Sequence, residues 1–179
     1  MPWELIKLNS GYHNNHIPSI GLGTWTLDNS QGPIDQDEQA PDNAHGYNHI
    51  GTVQAYRNEE EKGVALKETG LSRSDVFVMT KCSSINSLDI PTSIKNSLNS
   101  PGVLDVDLYL VHSPCLAVPN IPTYWAQMEK AMGLFDNLTC DHKSIGISNI
   151  EVQHMETLMA SAQIKPARQK SILEYATKN

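Results

Sequence analysis

The chain has 179 residues, of which 39% are hydrophobic, 6% aromatic and 18% charged, enough for one domain with a hydrophobic core. Its formal charge of −7 argues against a nucleic-acid surface, which needs clustered Lys and Arg. No apolar run approaches the ~20 residues that span a membrane.

Near the N-terminus, Met-Pro-Trp-Glu-Leu lacks the basic and apolar regions of a secretory signal. Residues 28–45 contain one large aliphatic side chain, Ile34, too few to pack a helix, and read as a mobile loop. Asn58 to Glu68 opens with an asparagine and three glutamates, which suit a helix start by capping and by the dipole. Val76 to Met79 reads as a buried strand. Pro91 to Leu98 follows as a helix with proline in its first turn. Val106 to Val111 is the next strand, Pro122 to Met132 the next helix, Ile145 to Ile147 a further strand and Glu151 to Ala162 a further helix.

This alternation predicts a parallel sheet with crossover helices. Asp107-Leu-Tyr-Leu-Val-His112 is polar only at its ends, as expected of a strand buried on both faces. Periodicity alone leaves a closed barrel and an open doubly wound sheet as alternatives. Gly21, Gly23 and Gly51 do not have the spacing of a dinucleotide fingerprint. Cys82, Cys115 and Cys140 lie far apart and the histidines lack ligand spacing, so neither a disulfide framework nor a metal site is expected. The expected compartment is the reducing cytoplasm.

Five blocks, in order, resemble the aldo-keto reductase family. Leu8-Asn-Ser-Gly11 with Ile17-Pro-Ser-Ile-Gly-Leu-Gly-Thr-Trp25 is similar to its first hairpin and strand. Gly46-Tyr-Asn-His-Ile-Gly-Thr-Val-Gln-Ala-Tyr56, followed by Asn58-Glu-Glu, is similar to its second strand and tyrosine segment. Thr80-Lys81 matches the end of the third strand, Asp107-Leu-Tyr-Leu-Val-His112 with Pro114 the fourth, and Ser144-Ile-Gly-Ile-Ser-Asn149 the fifth. The resemblance runs from residue 8 to about residue 167.

The resemblance implies a (β/α)8 TIM barrel with its site at the C-terminal strand ends, and hydride transfer from NADPH to a carbonyl. It implies that Tyr56 is the general acid, that Lys81 lowers the pKa of that phenol, and that His112 orients the substrate carbonyl. Ser148 and Asn149 correspond to contacts to the nicotinamide carboxamide. Thr24 and Trp25 match family residues near the nicotinamide and the substrate pocket, respectively. Cys82 and Ser113 stand where the family often carries pocket aromatics, so a less aromatic, more open pocket is expected. Gly51 stands where the family has an aspartate that pairs with the lysine.

After Lys165-Pro-Ala167 the family continues with a strand carrying Asn-Gln and further strand–helix units. This sequence runs from Arg168-Gln-Lys-Ser171 into Ile172 to Asn179. One alignment makes Gln169 the nicotinamide-contacting glutamine. The expectation is a C-terminally truncated member: a single partial barrel over 1–179 with five to six β/α units and a residual C-terminal helix at 168–179. Its open sheet edges would favour self-association. Two functions are carried forward. One is an NADP-dependent reductase of a small aldehyde or ketone, in specialised metabolism, with weakened cofactor binding. The other is a catalytically impaired relative that serves as a scaffold or needs a partner chain to complete the barrel. Neither involves nucleic acid or membrane.

Overall fold

The computed structural model describes residues 4–9, 16–23, 47–51, 71–82, 89–99, 106–114, 120–135, 144–167 and 169–170. A hairpin comes first: β1 (Leu5–Lys7) runs antiparallel to β2 (His16–Pro18), with Ile6 opposite Ile17. Six strands then form one parallel sheet: β3 (Leu22–Gly23), β4 (His49–Gly51), β5 (Phe77–Cys82), β6 (Leu108–Val111), β7 (Ser144–Ser148) and β8 (Gln169–Lys170). A 3-10 turn at Arg73–Asp75 precedes β5, and the described α-helices are α1 (Ile90–Asn99), α2 (Ile121–Phe135) and α3 (Val152–Met159), one after each of β5, β6 and β7. No described helix is long and apolar enough to cross a membrane.

Helices α1 and α2 begin the same way. Asp89-Ile-Pro-Thr92 and Asn120-Ile-Pro-Thr123 each present a side-chain oxygen to the third helical N–H, at 2.7 Å from Thr92 and 3.0 Å from Thr123. The following proline removes a donor that would have no helical partner. Hydrogen bonds from Thr92, through its side chain and its backbone N–H, hold the Asp89 carboxyl below its ordinary range. Along α2 the buried residues Ile121, Tyr124, Trp125, Met128 and Met132 fall at helical spacing on one stripe.

Alternation along the strands divides the core in two. Val78, Cys82, Tyr109, Val111, Ile145 and Ile147 pack with Ile90 and Ile94 of α1, Trp125 and Met128 of α2, and Leu158 of α3. Met79, Leu108 and Leu110 point the other way and pack with Leu8, Ile17 and Ala167. All three described α-helices therefore cover one face, and the hairpin covers the other. The strands also neighbour one another in chain order. A doubly wound sheet would reverse its order and carry helices on both faces, so this is the wall of a barrel.

Close contacts hold the hairpin beneath the sheet. Asn9 donates its N–H to Ala167 O at 3.3 Å, and Ala167 donates to Ile145 O at 2.8 Å. The buried His49 ring lies with Nδ1 3.2 Å from Pro18 O and stands edge-on to Phe77. A Cβ at position 21 would come within 2.8 Å of His49 Cε1 and nearer still to two other ring atoms, which is why glycine stands there. From α2, Trp125 Nε1 donates to Ile164 O at 2.9 Å, and Glu129 Oε1 accepts from the N–H groups of Gln163 and Ile164, each at 2.8 Å. These bonds fix the segment that delivers β8.

The structure corrects two expectations. Strand β5 extends the apolar run at Val76 to Met79 through Thr80 and Lys81, where the resemblance ends the third strand, and one residue further to Cys82, which ladder bonds to β6 pair whatever its side chain. Gln169 and Lys170 are not the start of a helix. They form β8, paired with Ile147 and Ser148, which satisfies backbone groups on the edge of β7. The predicted loop at 28–45, the helix from Asn58 to Glu68, and residues 171–179 lie outside the described residues.

Asp107 locks β5 to β6 at their N-terminal ends. Its Oδ2 accepts from Val78 N at 2.6 Å and from Arg73 Nη2 at 2.7 Å, and its N–H donates to Val78 O at 2.8 Å. Asp107→Ala removes charge-assisted bonds to two partners and is expected to cost about 2–3 kcal/mol, read as a lower urea midpoint at unchanged m. A second prediction concerns Tyr109, whose hydroxyl lies 3.0 Å from Ser93 Oγ. Burial, with the Cys82 thiol beside it, pushes its phenol above the ordinary value of 10.0. The folded state disfavours the phenolate, so this contribution is complete below pH ~10 and declines as pH rises past it. Tyr109→Phe is therefore expected to flatten the fall in urea midpoint between about pH 9 and about pH 11.

Candidate functional site

The apolar character of the hairpin-side face ends at the C-terminal ends of the strands. Two residues beyond Met79 comes Lys81, two beyond Leu110 comes His112, two beyond Gly146 comes Ser148, and two beyond His49 comes Gly51. Alternation turns all four positions to the same face. In register, Lys81 lies opposite Leu110, Leu110 opposite Gly146, and Gly51 opposite Met79. Gly51 is thus the diagonal neighbour of Lys81. Ordinary strand spacing and rise put their Cα atoms about 8 Å apart.

Lys81 is 6% exposed and Ser148 3%, while His112 and Asn149 are half-buried. The His112 N–H donates to Cys82 O at 3.2 Å, extending the β5–β6 ladder one rung beyond Val111. Its carbonyl accepts from Asn149 Nδ2 at 3.0 Å. Asn149 has φ 56°, the left-handed region that asparagine tolerates better than most residues. The positions around Lys81 carry little bulk: Gly51 and Gly146 have no side chain, and a Cβ at Gly23 would meet no atom within 4 Å.

Of the residues singled out by sequence, Lys81, His112, Ser148, Asn149 and position 51 therefore share one rim. Tyr56, Thr24 and Trp25 lie outside the described residues. Cys82 does not line this rim. Odd and even positions of β5 face opposite ways, so Cys82 is fully buried beneath α2 with Sγ 3.1 Å from Tyr124 Oη. The expected effect of Cys82 on the pocket is thereby removed, while Ser113 is half-buried next to His112. The hydrogen bond from the Asn149 side-chain amide to His112 O was not foreseen. Its one sequence signal is an asparagine directly after a strand, a residue type suited to positive φ.

A shielded ammonium and an imidazole on one face can stabilise negative charge developing on an oxygen, because fixed charges and dipoles act more strongly away from water. A buried hydroxyl and a carboxamide next to them can position a neutral polar group. Among the described residues no three His, Cys, Asp or Glu side chains gather as a metal site.

Comparisons with known proteins agree with this geometry. Residues 19–171 match the model of the aldo/keto reductase family. An aldo-keto reductase of Mycolicibacterium smegmatis is 37% identical over 166 residues, covering 90% of this chain and 56% of the relative. The NAD/NADP-dependent indole-3-acetaldehyde reductase of Schizosaccharomyces pombe is 35% identical over 163 residues, covering 84% of this chain and 53% of the relative. Among solved structures, the Bombyx mori aldo-keto reductase in complex with NADP superposes with a TM-score of 0.78 at 28% identity, covering 96% of this chain and 58% of that one. The chain spans about half the length of the relatives it matches. The matched segment, the parallel barrel wall and the polar rim agree, and the chain belongs to the aldo/keto reductase family.

Proposed function

We propose that this chain carries the substrate-facing half of an NADPH-dependent carbonyl reductase acting on a small aldehyde or ketone. The observation that supports it most is the shared orientation of Lys81 and His112, with Ser148 and Asn149 next to them on the same rim. Related proteins point to the same substrate class: one reduces indole-3-acetaldehyde and another, from Escherichia coli, reduces methylglyoxal.

The residues present fit a nicotinamide. A 3%-exposed hydroxyl at Ser148 and the Asn149 amide flank a part of the rim where Gly146 adds no bulk. When bound, NADPH supplies a hydride to the carbonyl carbon. Tyr56 gives its Oη proton to the carbonyl oxygen, which completes the alcohol. The Lys81 ammonium stabilises the phenolate that remains. His112 donates a hydrogen bond to the same oxygen and orients it. By the family resemblance, Ser148 and Asn149 would hold the carboxamide, and Thr24 and Trp25 would correspond to residues bordering the cofactor and substrate.

Position 51 favours a second reading, an impaired reductase. A carboxylate there would face Lys81 across the diagonal, and glycine supplies none.

NADPH fluorescence titration separates the readings first. Binding at sub-millimolar cofactor is expected, and no binding at millimolar concentration rules out the reductase reading for the isolated chain. In a chain that turns over, Tyr56→Phe is expected to lower kcat by about 10²–10⁴-fold with NADPH affinity little changed. Gly51→Asp is expected to raise kcat/KM about tenfold, equivalent to one pKa unit of differential stabilisation. An unchanged rate in that variant would show that position 51 does not limit the site.

A further inference from the structure

In a regular strand the N–H and C=O of one residue face the same neighbouring strand. His112 breaks this rule. Its N–H is the last rung to β5, at 3.2 Å from Cys82 O, yet its C=O is taken from the other side, by Asn149 Nδ2 at 3.0 Å. The chain therefore turns between these two groups, and the peptide after His112 leaves the ladder. Its carbonyl is held by a side chain from the end of β7. Asn149 reaches it from a backbone at φ 56°, a conformation that most residues adopt only at a cost.

We propose that Asn149 is the positioning residue for His112: its side-chain amide holds the turned peptide and so sets the direction of the imidazole. This deepens the carbonyl-reductase reading, and only the consequence for substrate rests on it. One amide hydrogen of Asn149 is committed to His112 O, which leaves Oδ1 and the second hydrogen for the cofactor carboxamide. One side chain thus couples the cofactor seat to the group that orients the substrate oxygen.

The two substitutions that separate its parts are Asn149→Gly, which keeps the backbone conformation and deletes the amide, and Asn149→Asp, which keeps the size and removes the donor. In the ligand-free chain, the NMR ring signals of His112, identified by their loss in His112→Gln, are expected to shift in both variants more than those of the other six of the seven histidines. In a chain that turns over, the carbonyl substrate's KM, measured at saturating NADPH so that any loss of the Asn149–carboxamide contact is removed from the reading, is expected to rise roughly tenfold or more. A folded variant in which the His112 signals stay in place overturns the proposal, and a weakened NADPH Kd alongside them makes Asn149 a cofactor contact alone. Should neither variant fold, the unmodified chain still decides. One Asn149 side-chain amide proton is expected to exchange slowly, and equally fast exchange of both overturns the proposal. A chain that binds no NADPH defeats the reductase reading but leaves the ligand-free spectra to judge the positioning role.

Discussion

The phase of three parallel strands governs everything at the rim. Successive side chains of β5, β6 and β7 point to opposite faces, and each face is already committed, one to the helices and one to the hairpin. Lys81, His112 and Ser148 share a face because they continue the same alternating sets as Met79, Leu110 and Gly146. A slip of one residue in β5 would send Lys81 into the helix layer and bring Cys82 to the rim. Such a slip would also bury an ammonium among Ile94, Trp125 and Met128, at a cost far above that of any single contact in the site.

That phase is held at the opposite end of the strands. Asp107 is bonded to both backbone groups of Val78, through its carboxylate and its own N–H, and pairs with Arg73 besides. These polar contacts work where the strands begin, whereas the candidate chemistry lies where they end. Between them the interior is apolar, with Met79, Leu108 and Leu110 against Leu8 and Ile17. Residues that fix register are thus separated from residues that face the site, so the rim can change without unlocking the ladder.

Much of this was legible because strands buried on both faces have a plain signature. Asp107 to His112 announces both its strand and its polar ends, and the prolines at 91 and 122 mark two helix starts that the structure reproduces. Whether the sheet closes as a barrel wall was not legible from periodicity. It follows from all described α-helices lying on one face, a relation between distant segments. Cys82 was misjudged because adjacency to Lys81 in the chain means opposition in a strand. Strand β8 was missed because Gln169 and Lys170 lack strand character and are ordered by what β7 offers them. The turned peptide after His112 is beyond any reading of residue types, since it arises where a side chain replaces a ladder bond.

The low exposure of Lys81 decides how the glycine at position 51 should be weighed against the pocket's other departures. A carboxylate about 4 Å from an ammonium gains roughly 1 kcal/mol of Coulomb energy in bulk water, and roughly 4 kcal/mol at the effective dielectric of a protein site. Desolvation of the incoming carboxylate takes back part of that gain. Even so, the remainder exceeds what one pocket aromatic adds through stacking, about 0.5–1.5 kcal/mol. Charge at position 51 is therefore the stronger determinant of whether this rim can act on a carbonyl, and pocket shape the weaker one. At a solvent-exposed lysine the order would reverse. Here 6% exposure keeps it.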